Sequence, residues 1–442
     1  MRRYWKVVSL AMVIILTPAL GMAKGKKAHT TPKPTETVVE SSYSYPPEPP
    51  KEETPTAGYD GGFFIRSKDG DYQLKLGARI DGMFYWENSK TPDDPSTKTV
   101  DEAADTYTFH LRRASISLNP SYKWFSLLIA ITHSTSSRSG KPSPHKATWG
   151  PAYASFSPNE HFSLSIGYND PAYDIFNEFS SKRTSMVDWP IVLTQQDGEV
   201  PLFPFTEATT ITRPSFGLPT QLGIFLQGSL LGGKLNLYGS VGNGSEETSI
   251  RNTNKKFTYA GRVTYTIMGE SPYNGDMTDL RYSETPSLAV GLGGAFESDP
   301  NYNDNGQERY KWRVSGTADL GFRYRGFSLN VAGYASKLRV GPAAIWEAGE
   351  KYLDDVGYFA SAGMFVIPKR LELQAFGSQI FREGPDNDCY EFGGGINIYL
   401  KGHNAKVQLD YSRVLDYDDI TDAGIEGHNT TNRIRVKTQV YF

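Results

Sequence analysis

The chain has 442 residues, a net charge of -3 and a hydrophobic fraction of 38%. So small a charge implies neither nucleic acid nor any other strongly charged partner, and with Cys389 alone no intrachain disulfide is possible and nothing resembles a thiolate metal site. A soluble chain of this length would form two or three domains, but 43 Gly and 13% aromatics beside so few apolar residues fit another class better. A barrel with a wet interior needs apolar side chains on its outer face only, so its mean hydropathy resembles that of a soluble protein.

Arg2, Arg3 and Lys6 precede an apolar stretch from Val7 to Leu20, and Gly21-Met22-Ala23 offers small residues for cleavage. This pattern predicts a secretory signal over 1–23. Residues 24–58 are rich in Pro, Thr, Lys and Glu and predict a disordered or polyproline-like periplasmic linker. No later segment reaches the ~20 continuous apolar residues of a membrane helix. A mature protein that resides in a membrane must then span it as a barrel, which residues 59–442 are expected to form.

From Tyr72 to Trp86, Tyr72, Leu74, Leu76, Ala78, Ile80, Phe84 and Trp86 alternate with Gln73, Lys75, Arg79, Asp81 and Tyr85. That is a period of two over a stretch longer than most soluble strands. Similar segments lie near 106–118, 121–133, 147–156, 161–168, 219–230, 234–241, 257–267, 286–297, 310–322, 326–337, 356–367, 371–381, 390–401, 405–415 and 431–442. Short links alternate with long polar loops. Asn119-Pro120, Ser157-Pro158-Asn159, Leu231-Gly232-Gly233, Arg323-Tyr324-Arg325, Pro368-Lys369-Arg370 and Gly402-His403-Asn404 are the short ones. The asymmetry predicts an all-β transmembrane antiparallel barrel of about 16 strands. The link at 268–285 is the one misfit, long where a short turn belongs.

In the second strand Phe109 and Leu111 share one parity, and Ala114, Ile116 and Leu118 share the other. A β-bulge at Arg112-Arg113 would reconcile them and re-aim both side chains. The last strand alternates Ile434, Val436, Val440 and Phe442 with Arg435, Lys437, Gln439 and Tyr441. It turns Arg433, Arg435 and Lys437 inward beside Lys75 and Arg79 of the first strand. Within a narrow pore these groups act over less than the Debye length of ~8 Å and would enrich anions. Pairing with acids such as Asp81 and Asp410 would instead merely solvate the lumen, and charge rules alone leave both open. The long segment Asn169 to Leu218 is the expected constriction. Its first half mixes Asp170, Asp174, Glu178 and Asp188 with Lys182, Arg183 and several aromatics.

Catalytic chemistry has no visible carrier. The seven His are scattered and no Gly-x-Ser-x-Gly occurs. Asn301 to Gly306 has half the pattern of a calcium loop, but Trp312 stands at the closing position, so a turn is expected. Asp416, Asp418, Asp419, Asp422 and Glu426 crowd one external loop, read as solvated. No cofactor is implied.

Leu74-Lys75-Leu76-Gly77-Ala78-Arg79-Ile80, Leu111-Arg112-Arg113-Ala114, and Leu164-Ser165-Ile166-Gly167 leading into Ser180-Ser181-Lys182 resemble the phosphate-selective porin O/P family. The same holds for Tyr259-Ala260-Gly261-Arg262, Tyr324-Arg325-Gly326-Phe327-Ser328-Leu329 and Gly394-Gly395-Ile396-Asn397-Ile398-Tyr399-Leu400. The resemblance runs from about Asp71 to Phe442. It implies a homotrimer in the bacterial outer membrane whose third external loop narrows the pore. It places Arg79, Arg112, Arg113 and Lys182 in an anion-binding constriction, while Asn177 and Tyr168 stand where further basic residues would help and Gly150 replaces an acidic partner. The implied partners are small anionic or polar solutes, outer-membrane lipid and lipopolysaccharide, and the barrel insertion machinery. A barrel acting as an adhesin or envelope tether is the alternative, motivated by the 24–58 arm and the acidic loops.

Overall fold

The computed structural model describes residues 56–59, 61–90, 104–134, 147–194, 200–201, 210–211, 215–244, 256–298, 310–340, 352–383, 388–418 and 427–442. The signal over 1–23, nearly all of the 24–58 linker, the turn at Asn301 and the acid-rich loop after Asp418 lie outside them. Among the described residues no helix is long and apolar enough to cross a membrane.

The structure is a closed antiparallel barrel. Its first strands are β1 (Tyr72–Lys90), β2 (Ala104–Tyr122), β3 (Phe125–Ser134), β4 (Ala147–Asn159) and β5 (Phe162–Asn169). Next come β6 (Gln221–Leu230), β7 (Leu235–Gly242), β8 (Thr258–Met268), β9 (Ser287–Ser298) and β10 (Tyr310–Tyr324). The ring is completed by β11 (Phe327–Val340), β12 (Tyr352–Ile367), β13 (Leu371–Arg382), β14 (Cys389–Tyr399), β15 (Ala405–Asp418) and β16 (Gly427–Tyr441). Each strand pairs with its chain neighbours, and β16 closes on β1 with Arg435 opposite Tyr85 and Tyr441 opposite Arg79. The last residue joins this seam: the Phe442 amide donates to the Ala78 carbonyl at 3.0 Å, and Ala78 donates back at 2.7 Å. Closure leaves no unpaired edge, which suits a sheet that must satisfy its own backbone.

Strand parity sets two faces. Phe109 (83% exposed), Trp149 (69%), Ile80, Leu226 and Leu292 point outward as part of a continuous apolar surface. Arg79, Asp81, Arg262, Asp319, Gln408 and Lys437 point inward and are buried. This is the inside-out pattern of a barrel whose outer face meets an apolar solvent.

Two details depart from the sequence expectation, and a third matches it. Strands β2 and β4 run through Pro120 and Pro158, so their turns fall at Lys123-Trp124 and Glu160-His161 rather than at Asn119-Pro120 and Ser157-Pro158-Asn159. The β2–β3 and β4–β5 registers skip those prolines, as a residue without an N–H requires. A short hairpin, Ala57–Tyr59 and Phe63–Arg66, extends the sheet beside the start of β1. Finally, Asp81 faces Arg113 while Gly82 faces Leu111, so Arg112 is the extra residue of a bulge. The bulge expected at Arg112-Arg113 is present, and it turns both guanidinium groups inward.

Candidate functional site: the inner wall and the segment bound to it

The connection from β5 to β6 supplies the residues that touch the inner wall. Asp174 caps a short 3-10 turn, Ile175–Glu178, by accepting from the amides of Phe176 at 2.9 Å and Asn177 at 3.2 Å. Asn177 reciprocates by accepting from the Tyr173 and Asp174 amides at 2.8 and 2.9 Å, a capping box that fixes the chain direction. Asn177 is where the family resemblance would favour a base; here its side chain is committed to the backbone.

Beyond the turn, inward residues of the wall hold the segment's carbonyls. Arg79 donates to the Ser181 hydroxyl at 2.8 Å and carbonyl at 3.0 Å. Lys406 donates to the Thr184 carbonyl at 2.6 Å, Gln408 to that of Ser185 at 2.7 Å, and Lys437 to that of Val187 at 2.6 Å. In return, the Ile191 amide donates to Glu391 at 3.0 Å and the Val192 amide to Ser378 at 3.2 Å. Strands β13 to β16 and β1 are thus bridged through one stretch of chain. An apolar cluster completes the contact: Tyr173, Ile175, Phe176, Val192 and Phe216 pack with the inward Tyr334, Phe359, Phe376 and Ile380. Burying such rings is worth about 1.5–3 kcal/mol each.

The backbone of this segment lies so close to β9 that only glycine fits at Gly293, where a Cβ would overlap the Tyr173 carbonyl. Gly357 is similar, with Phe216 and Val192 both 2.9 Å from the Cβ position. We expect Gly293→Ala to cost about 1–3 kcal/mol, the usual range for overpacking. The outward neighbour Gly294, where a Cβ meets its nearest atom at 3.8 Å, should accept Ala with little effect. Heat-modifiable gel migration of the two variants checks the contrast.

The basic residues singled out from sequence are brought to one side of the barrel, and most meet carboxylates. Arg79 Nε donates to Asp81 at 2.9 Å. Arg112 forms a two-pronged pair with Asp188, at 2.8 and 3.1 Å, and Arg113 stands 3.9 Å from the same carboxylate. Arg435 binds Asp410 through both nitrogens, and Arg433 meets Glu87 at 3.0 Å. Lys182 instead lies over the Tyr441 ring at 5.2 Å, and Arg183 beside it is exposed. Lys75, on the inward face of β1, is half-buried and lies opposite Phe64 of the short hairpin. Of the sequence alternative, pairing with Asp81 and Asp410 is observed, and Lys182 and Arg183 have no carboxylate ion pair among the described residues.

Burial pushes the Asp188 carboxyl up, but Arg112 and Arg113 outweigh it and hold the group well below the usual carboxylate range. Burial also depresses Lys182, helped by the positive charges of Arg79 and Arg183. Asp174 goes the other way, raised by burial to about 6 despite Arg262 and the two amide bonds. Its folded value lies above its unfolded one, so between about pH 4 and 6 the folded segment holds a proton the unfolded chain has released. Local stability should fall as pH rises through that window and stay lower above it. Asp174→Asn should remove the dependence, as read by hydrogen exchange at Phe176 and Asn177.

Sequence reasoning missed the acidic and neutral partners in the opposite wall. Arg262 of β8 binds Asp319 at 2.6 and 2.9 Å and Glu178 at 2.9 Å, while Tyr273 donates to Asp319 at 2.6 Å. Arg313 pairs with Glu297, and Arg382 with Asp355 at 3.0 Å. From Ser115 on β2 to Tyr238 on β7, by contrast, the inward row is uncharged: Ser117, Ser155, Ser163 and Ser165 are partly exposed, while Ala130, Gln221 and Phe225 are buried.

No family model and no curated protein matches the chain in sequence. Its fold is similar to solved structures. The anion-selective porin from Comamonas acidovorans shares 12% identity with a TM-score of 0.53, covering 84% of this chain and all of that one. The outer membrane channel DcaP of Acinetobacter baumannii shares 12% identity and a TM-score of 0.51 over 86% of this chain and 99% of its own. Salmonella typhi OmpF, solved with daunomycin, shares 14% identity and a TM-score of 0.50 over 87% and 100%. At such identities the likeness establishes the architecture, and this chain has the sixteen-stranded barrel of those proteins.

Proposed function

We propose that the protein is an outer-membrane porin through which small hydrophilic solutes diffuse passively, with a mild preference for anions. The observation that carries this reading is the closed barrel with an apolar outer face and a charged, polar inner one. In this reading residues 1–23 direct export, 24–58 form a periplasmic arm, the short turns face the periplasm, and three copies assemble amid lipopolysaccharide after insertion by the barrel machinery. The segment from Asn169 to Leu218 acts as the constriction, and its bonds to wall cations support that role.

The anion preference rests on the side formed by β15, β16, β1 and β2. There Arg79, Arg112, Arg113 and Lys182 are joined by Lys406 and Lys437 against fewer carboxylates, chiefly Asp81, Asp188 and Asp410. Because most of these cations already bind carboxylates or backbone carbonyls, they bias the local potential rather than offering a stripped site to phosphate. A phosphate-selective pore of the O/P type would need Lys182 and Arg183 to supply the ligands, since Arg79 and Arg112 are occupied. Purified protein in planar bilayers tests the function: ohmic channels with an anion-side reversal potential are expected, and a protein that forms none would refute it. The rival, a plugged barrel serving as an adhesin or tether, draws on the apolar cluster around Phe359 and Phe376. It predicts the same folded barrel without current.

A further inference from the structure

We propose that the β8–β9 connection, residues 269–286, is a second constriction that crosses the bore at its periplasmic end and confines the water path to the side lined by β2 to β7. The inference rests on the porin reading, which supplies the solutes to be confined. The other connections at this end are tight turns; this one has a buried interior of its own, with Tyr273, Asp276, Met277 and Asp279 all shielded. Its neighbours show where it lies. It leaves the sheet between β8 and β9, yet Asp276 reaches His403 at 3.0 Å in the turn between β14 and β15, six strands away around the ring. A chain anchored at both places spans the mouth rather than following its rim.

Along the way inward groups of the wall receive it. Arg323 donates to the carbonyls of Asp276 at 3.1 Å and Thr278 at 3.2 Å, and Asn330 to that of Met277 at 3.1 Å. On β10, a Cβ at Gly321 would stand 2.8 Å from the Tyr273 ring, so the wall is hollowed where the connection presses on it. It is also tied to the constriction segment above it. The Ser180 amide donates to the Gly275 carbonyl at 2.9 Å, Gly275 to that of Glu178 at 3.0 Å, and Met277 to that of Arg183 at 3.0 Å. Three backbone bonds, with Tyr273 and Glu178 meeting through Asp319 and Arg262, make the two segments one body.

That body covers the inward faces of β8 to β16, where Ser361, Asn330, Glu372 and Lys437 are buried. It leaves Ser117, Ser155, Ser163 and Ser165 partly exposed. Water and solute therefore have an uncharged, hydroxyl-rich wall on one side and the edge of the body on the other. Such a wall exchanges hydrogen bonds with a hydrated solute without holding it by charge. Lys182 and Arg183, at the edge of the body, bias the passage.

Two experiments test this. First, residues 270–285 are replaced by a two-residue turn and single-channel conductance is measured. A several-fold increase is expected, with faster liposome swelling in sugars that the intact protein excludes; unchanged conductance from a folded variant overturns the proposal. Second, Ser165→Cys and Ser361→Cys are made separately in a Cys389→Ala background and exposed to a charged methanethiosulfonate in open channels. Current through the Ser165 variant should fall, while Ser361 stays unreactive beneath Asn330, to which it is bonded at 3.3 Å. Equal block at both positions would place the water path elsewhere and overturn the proposal, even if the shortened variant fails to fold. Failure of the porin reading looks different, because the intact protein would then give no current at all.

Discussion

Replacing Asp188 with Ala should shift ion selectivity strongly toward anions. Arg112 and Arg113 both direct their guanidinium groups at this carboxylate, at 2.8 and 3.9 Å, and all three side chains are at least 85% shielded. Removing it takes away the carboxylate to which both guanidinium groups are directed. The unscreened difference at pore distances amounts to about 1 kcal/mol or somewhat more, given partial solvent screening. That corresponds to roughly a three- to tenfold rise in the anion-to-cation permeability ratio. Asp188→Asn keeps the shape and should give the same sign, which separates charge from any shift of the segment. The paired substitution Arg112→Ala and Arg113→Ala should move the reversal potential the opposite way, since Asp188 then loses both of these arginines. A reversal potential indifferent to all of these would remove the trio from the permeation path.

The second large effect belongs to Arg262. Its guanidinium binds two carboxylates, Asp319 on the wall and Glu178 on the β5–β6 connection, and is fully shielded together with Asp319. Arg262→Met keeps much of the volume and leaves both carboxylates without their cation. Breaking a buried pair in this way costs about 3–5 kcal/mol. Folded barrel should be lost at lower temperature in detergent, read by heat-modifiable gel migration. Adding Asp319→Asn and Glu178→Gln to the same chain should recover much of the loss, because nothing charged is then stranded. A single variant as stable as the parent would mean that solvent reaches this network freely.

Both expectations depend on contacts that the sequence conceals. Period two identified the lipid row and the inward row along β1, and the parity switch around Arg112 located the bulge. These are local signals, readable because one residue of slip would reverse the faces. The partner of Arg112 is 76 residues away on a connection with no period at all, and no local rule finds it. Pro120 and Pro158 point to turns two or more residues early, because proline ordinarily breaks a strand, whereas a strand tolerates it where the register skips.

Other signals are present in the residues themselves. Strands β12 and β13 place Phe359, Phe376 and Ile380 on the inner face, where a water-filled lumen would want polar groups. Apolar residues on both faces of a barrel strand mean that something packs inside it. The glycines at 293, 321 and 357 say the same thing, for each stands where another segment presses on the wall. The misfit at 268–285 was also a message: a connection too long for a turn has somewhere to go. The candidate cations were legible as a group on adjacent strands, but their pairing was not, since Asp81 shares a strand with Arg79 while Asp410 and Asp188 come from elsewhere.

The reversal potential of purified protein in planar bilayers under a KCl gradient, measured before and after adding phosphate, tests the porin reading most directly. The predicted result is an ohmic channel, mildly anion-selective and little affected by phosphate, because the wall arginines are already engaged by carboxylates. Absence of channels, or a clear cation preference, would contradict it.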